Sequence, residues 1–102
     1  MEIIKIQELK SILENISAKK IFSNEIIEII EIDLMPKEVI EMHKNDKTAL
    51  FNIIAGKGIV TVENEKYYVE KGDFMKIDKG LNREWENYGD IPLRISVTKL
   101  MN

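Results

Sequence analysis

"GDFMKIDKGLNREWEN", residues Gly72 to Asn87, contains two short runs, each entered through a glycine-bearing turn. Gly72-Asp73 and Lys79-Gly80 suit tight turns, because glycine reaches positive φ without steric cost and aspartate can bond the nearby backbone. Between and after these turns, Phe74 to Ile77 and Arg83 to Asn87 have the length of strands. Successive strand residues point to opposite sides, so in "REWEN" Arg83, Trp85 and Asn87 share one face and Glu84 and Glu86 the other. The glutamates most simply face water. Arg83 and Trp85 then look inward, a cation beside a flat apolar wall.

The same grammar extends in both directions. Val39 to His43, Ala49 to Ala55, Ile59 to Glu63, Lys66 to Val69 and Leu93 to Thr98 read as further strands. Asn45-Asp46, Gly56-Lys57-Gly58, Glu63-Asn64 and Gly89-Asp90 punctuate them. Short strands at such even spacing predict an all-β sandwich or barrel. Upstream, "EIIEIIEIDLM" (Glu25 to Met35) reads as one or two strands that break at Pro36. A helix with Glu25, Glu28 and Glu31 at every third place competes, but isoleucine favours sheets and the segment runs into a proline. Ile6, Leu9, Ile12, Leu13 and Ile16 fall on one helical face and predict a short amphipathic helix. "SAKK", Ser17 to Lys20, reads as a solvated turn.

Composition narrows the classes of function. A chain of 102 residues with 44% apolar content supports one packed domain, taken as residues 1–102 with no linker. No uncharged apolar stretch approaches the roughly 20 residues that span a bilayer. The start, "MEIIKIQELK", lacks the basic region, long apolar segment and cleavage site of a secretory signal, so a cytoplasmic protein is expected. Without cysteine there is no disulfide, thiolate nucleophile or cysteine-based metal site. A net charge of −3, with lysine and glutamate interleaved, provides no basic stripe for nucleic acid.

Two glycine-anchored stretches carry a family resemblance. Gly72 to Asn87 resembles the second signature of the cupin superfamily, G-x5-P-x-G-x2-H-x3-N, with Gly72, Gly80 and Asn87 in register. Asp78 stands where proline is usual and Arg83 where histidine is usual. "KEVIEMHKNDKTALFNIIAG", Lys37 to Gly56, resembles the first signature, G-x5-H-x-H-x3-E-x6-G. There His43 and Gly56 match, while Lys37 replaces the first glycine, Asn45 the second histidine and Ala49 the glutamate. The interval from Gly56 to Gly72 is of the usual length. The resemblance implies a jelly-roll (double-stranded β-helix) barrel with its core over residues 29–98, preceded by a helix and lead-in over 1–20. It also implies a homodimer, with the Ile-rich N-terminal strand available for pairing between subunits.

In metal-bearing cupins, by this resemblance, two histidines and a glutamate of the first signature and the histidine of the second converge on a divalent metal. Here that quartet becomes His43, Asn45, Ala49 and Arg83: one imidazole, one amide, one methyl and one cation. A guanidinium only donates hydrogen bonds. At 5 Å and an effective dielectric near 20 it would repel a dication by roughly 6 to 7 kcal/mol. No transition metal or other cofactor is therefore expected. Reading Glu41 with His43 as paired ligands yields only two donors and leaves Arg83 in place. Glu41 is more interesting as an inward partner for Arg83, a carboxylate–guanidinium pair standing in for the metal. Phe51 and Ile53, on the face of Ala49, would line the same interior, and Ile40 with Met42 would cover the opposite sheet face.

Three functional readings follow. One is a metal-free module that binds or senses a small, anionic molecule, with Glu41, His43, Asn45, Phe51, Arg83 and Trp85 lining the barrel. The second is a cupin enzyme, isomerase-like or dioxygenase-like, using His43 and Glu41 as acid and base, with or without a weakly held divalent metal. The third is a structural or regulatory partner, a free-standing cupin that resembles the sensory domains attached to transcription regulators but lacks their DNA-binding helices. The sequence assigns no catalytic residue.

Overall fold

The computed structural model describes all residues, 1–102. Nine strands follow one 3-10 turn at Ile6–Glu8: β1 (Ser17–Ser23), β2 (Ile27–Leu34), β3 (Val39–Lys44), β4 (Thr48–Ala55), β5 (Lys57–Val62), β6 (Glu65–Glu70), β7 (Phe74–Ile77), β8 (Asn82–Glu86) and β9 (Leu93–Leu100). Every strand expected from Val39 onward forms, with ends moved by at most two residues. The glutamate-spaced segment is the strand β2, not a helix.

All pairs are antiparallel, in a five-stranded sheet ordered β1-β2-β9-β4-β7 and a four-stranded sheet ordered β3-β8-β5-β6. Each sheet keeps two free edges, so the expected closed barrel is corrected to a double-sheet jelly roll that stays open at its sides. Alternation drives the packing. On β9, Leu93, Ile95 and Val97 are buried while Arg94 between them is exposed and grips Asp33 of β2. Leu34 and Ile53 complete the driest part of the core beside Leu93 and Ile95. At the β4–β5 junction Gly56 holds φ +80°, and a Cβ there would collide with the carbonyl oxygen of Pro92.

Three expectations about the N-terminal third need correction. The helix over Ile6 to Ile16 is only the Ile6–Glu8 turn, and residues 9–16 form neither helix nor strand. Lys5 provides no side-chain cap, and the Ser11 hydroxyl accepts the N–H groups of Leu13 and Ala18, an alternative to helical bonding. "SAKK" is no turn: Ser17 to Lys20 opens β1, where Lys19 lies opposite Glu31 and Lys20 reaches Glu28 at 3.4 Å. The acidic side chains of β2 make a strand of basic residues favourable beside it. The Ile-rich strand is β2, paired on both sides within this chain, to β1 and to β9, and so is not the free edge expected for pairing between subunits. No helix is long and apolar enough to cross a membrane.

Candidate functional site

Between the two sheets, near the edge strands β1 and β3, lies a cavity of about 220 Å³. Trp85 and Arg83 of β8 form one wall, as the alternation of "REWEN" predicts, and both are buried. Phe51 of β4 faces them: its ring centre lies 5.2 Å from that of Trp85, tilted by 41°, and 5.8 Å from the Arg83 Cζ. Ile30 and Ile32 of β2, Ile40 of β3 and Val97 of β9 make the remaining surface aliphatic. Ile53, in line with Phe51, packs in the core.

Arg83 is the chemically exceptional residue. It is 3% exposed, makes no salt bridge or side-chain hydrogen bond, and its buried Nη1 has no partner. A buried charge is costly unless another group answers it. Burial pushes the guanidinium below its usual pKa, although arginine remains protonated at neutral pH.

The partner proposed for it, Glu41, is elsewhere. Ile40 pairs with Trp85 and His43 with Arg83, so β3 spends three steps where β8 spends two. This bulge breaks the side-chain parity. Ile40 and His43 both line the cavity, His43 from its exposed rim, while Glu41 and Met42 are exposed and do not line it. The expected face of Ile40 with Met42, and that of Glu41 with His43, are thus both corrected. Glu41 touches the site only through its backbone, whose carbonyl accepts the His43 Nδ1–H at 2.9 Å and leaves the His43 Nε2 free. Asn45 reaches the cavity rim, but its Oδ1 accepts the backbone N–H of Lys47 and fastens the β3–β4 turn.

Two groups at the site were not anticipated. Lys99 continues the inward series Leu93, Ile95, Val97 and stands at the mouth, a position that the alternation of β9 would have revealed. Its Nζ lies 3.6 Å from Glu28. Burial tends to raise the Glu28 pKa, but hydrogen bonds from Ser23 and Lys20 and the charges of Lys20 and Lys99 outweigh it and hold the carboxyl below its ordinary value. Ile12 and Leu13 of the N-terminal segment also line the cavity; their helical spacing marks them as apolar-face residues but not which surface they cover. Beyond the mouth, a polar depression shares Asn45 and Lys99 with the cavity and adds Lys44 and Lys47.

The donors do not suit the metal that the resemblance implies. Ala49 is fully buried and contributes a methyl group, the Asn45 oxygen is committed to a turn, and Arg83 brings a fixed positive charge. Nowhere do three His, Cys, Asp or Glu side chains gather closely enough to share an ion. One imidazole is too few donors for a first-row metal.

Comparison with known proteins agrees with this architecture. The family model described as a cupin domain matches residues 30–99. An uncharacterized protein of Methanocaldococcus jannaschii is 36% identical over 55 residues, which are 53% of this chain and 44% of that protein, so the match spans less than half of the relative. Among solved structures, an RmlC-like cupin family protein from the same organism superposes with a TM-score of 0.82 at 19% identity, over 98% of this chain and 90% of the other. A predicted oxalate decarboxylase from Thermotoga maritima gives 0.84 at 16% identity, over 99% and 100%. A polyketide cyclase from Streptomyces resistomycificus gives 0.86 at 12% identity, over 100% and 80%. At such identities these structures share the fold, while the family match covers most of the chain: this protein belongs to the cupin domain family.

Proposed function

We propose that this protein is a binding module for a small anionic molecule, held between the sheets by Arg83. The observation that carries this reading is the unpaired Nη1 of a guanidinium that is 3% exposed. An anion would supply the missing charge and acceptors, and guanidinium matches a carboxylate through two parallel hydrogen bonds. Phe51 and Trp85 would give its body an apolar wall. Lys99 at the mouth with Lys44 and Lys47 in the depression beyond it, set against Glu28 and Asp46, leaves that entrance with a small excess of positive charge for an approaching anion. The acid–base reading is weaker because Glu41, the partner intended for His43, does not line the cavity that His43 lines.

The test is a denaturation series with and without carboxylates and phosphate esters, on the wild type and on Arg83→Met. A ligand that binds only the folded state stabilises it by about 2.7 kcal/mol at a hundred times its Kd. Arg83→Met is expected to abolish that gain. It should also raise the stability of the free protein by roughly 1–3 kcal/mol, because an unpaired buried charge is replaced by an apolar chain of similar length. Loss of stability in Arg83→Met, together with no response of the wild type to any anion, would sink the proposal.

A further inference from the structure

We infer that the ligand is a monocarboxylate with an apolar tail, and that the N-terminal segment reads the length of that tail through Ile12 and Leu13. The inference rests on Arg83 as the partner of the anion and goes further by assigning the ligand class and a specificity element outside the two signatures.

Charge and space set the class. Inside the cavity Arg83 is the one guanidinium, and Lys99 at the mouth is already shared with Glu28. A single fixed cation matches one negative charge, whereas a phosphate monoester would bring nearly two into an aliphatic chamber. The volume of about 220 Å³ exceeds the roughly 150 Å³ of an engineered apolar cavity that takes up benzene. A carboxylate with a few carbons fills such a space. The surfaces waiting for those carbons are Phe51, Ile30, Ile32 and the ring of Trp85, while the polar groups of the lining, His43, Asn45 and Lys99, accompany the apolar wall without covering it.

The N-terminal segment closes the side of that chamber. β1 and β3 are edge strands of different sheets, so the jelly roll is open between them. Ile12 and Leu13 share the cavity with Ala18 of β1 and with Ile40 and His43 of β3. Both remain about half exposed, 52% and 46%, so the free protein does not bury them fully. Few bonds hold the segment: the Ile12 N–H donates to the Ala18 carbonyl at 2.7 Å, and Lys19 Nζ donates to the Ile6 carbonyl at 3.1 Å. Ser11 is the latch. Its Oγ accepts the N–H groups of Leu13 and Ala18, and its proton reaches the carbonyls of Leu13 and Ile16. A tail that extends from Arg83 toward this gap would complete the burial of both side chains.

The experiment titrates the straight-chain acids from acetate to octanoate into the labelled full chain, following the Trp85 indole and Arg83 Nε–H signals by NMR. In the wild type, affinity should rise about fourfold per methylene until the tail fills the chamber. In Leu13→Ser the rise should stop several carbons earlier while acetate binds as before. Ser11→Ala, which releases the latch and keeps both apolar side chains, should speed dissociation of hexanoate several-fold, and it carries the comparison if Leu13→Ser fails to fold. An unchanged chain-length profile in Leu13→Ser with unchanged dissociation in Ser11→Ala would overturn the inference and leave the Arg83 reading standing. No binding of any acid to the wild type would overturn both.

Discussion

His43 and Arg83 stand directly opposite one another across β3 and β8, and they do so because β3 carries one residue more than β8 between the Ile40–Trp85 pair and this one. Without that extra residue, strict alternation from Ile40 would send His43 outward. The bulge thus brings the first-signature histidine to the second-signature arginine and excludes Glu41 from both. Glu41→Gln is accordingly expected to leave stability within about 0.5 kcal/mol of wild type and anion binding unaltered. A thermal-shift comparison with and without carboxylate checks this. A clear loss of either property would restore Glu41 as the partner of Arg83.

Lys37 occupies a place that glycine would fill more comfortably. The Glu38 N–H donates to the Met35 carbonyl at 3.0 Å, Pro36 takes the second position of this turn, and Lys37 takes the third with φ +72°. That is a type II turn, whose third position strongly favours glycine. The resemblance places a signature glycine at the same position. Left-handed backbone costs an L-residue roughly 1–2 kcal/mol, partly offset by the greater freedom of glycine in the unfolded chain. Lys37→Gly should therefore stabilise by about 0.5–1 kcal/mol in urea unfolding, whereas Lys37→Ala should bring no gain. Equal effects of the two would mean that the lysine side chain, not its φ, matters.

The strands from Val39 onward were legible because turn residues and alternation agreed, as at Gly72-Asp73 and in "REWEN". The inward pair Arg83 and Trp85 follows from parity alone. What parity could not reveal is where it breaks: nothing in "VIEMHK" marks a bulge, since any residue can serve there, and unbroken alternation puts Glu41 and His43 on one face. At the N-terminus, Ile6, Leu9, Ile12, Leu13 and Ile16 have helical spacing, but such spacing needs a surface to pack against and a cap to start from. The open side of the jelly roll takes Ile12 and Leu13 instead, a tertiary demand that local pattern cannot express. Closure of the barrel was likewise unreadable, because it depends on whether edge strands meet, not on the sequence of either.

Acid should loosen the β1–β2–β9 end of the molecule first. Glu28 takes a hydrogen bond from Ser23 at 3.1 Å and lies between Lys20 and Lys99. Its folded pKa is below the ordinary carboxylate value, so the folded state binds this proton less readily than the unfolded chain. The resulting stability is present above the unfolded pKa and is lost as pH falls through the folded one. Urea unfolding from pH 6 to pH 2.5 should show a decline that Glu28→Gln makes shallower, while Glu28→Gln costs about 1 kcal/mol at pH 7. Parallel pH profiles of the two proteins would remove Glu28 from the account.

Asn87 shares a face with Arg83 and Trp85, yet its amide is fully employed in holding the chain together. It has no exposed surface; its Nδ2 donates to the carbonyls of Leu34 and Ile91 at 2.8 Å each, and its Oδ1 accepts the Gly89 N–H at 2.9 Å. Its backbone adds two more ties to the Pro36-Lys37 turn, from the Lys37 N–H and to the Glu38 carbonyl. Asn87 thereby joins the first position of one signature to the last position of the other. Asn87→Ala would leave two carbonyls and one N–H unanswered, at about 1–3 kcal/mol for each such buried group before relaxation. A total loss of roughly 2–4 kcal/mol is expected in urea unfolding. Asn87→Asp should be no better, since its carboxylate would face the same two carbonyls with no proton to offer them. If Asn87 were instead a ligand-binding group, Asn87→Ala would keep its stability and lose anion affinity. The reverse is expected: below its lowered midpoint the variant should still bind carboxylate at Arg83, with the Trp85 indole signal shifting as in the wild type.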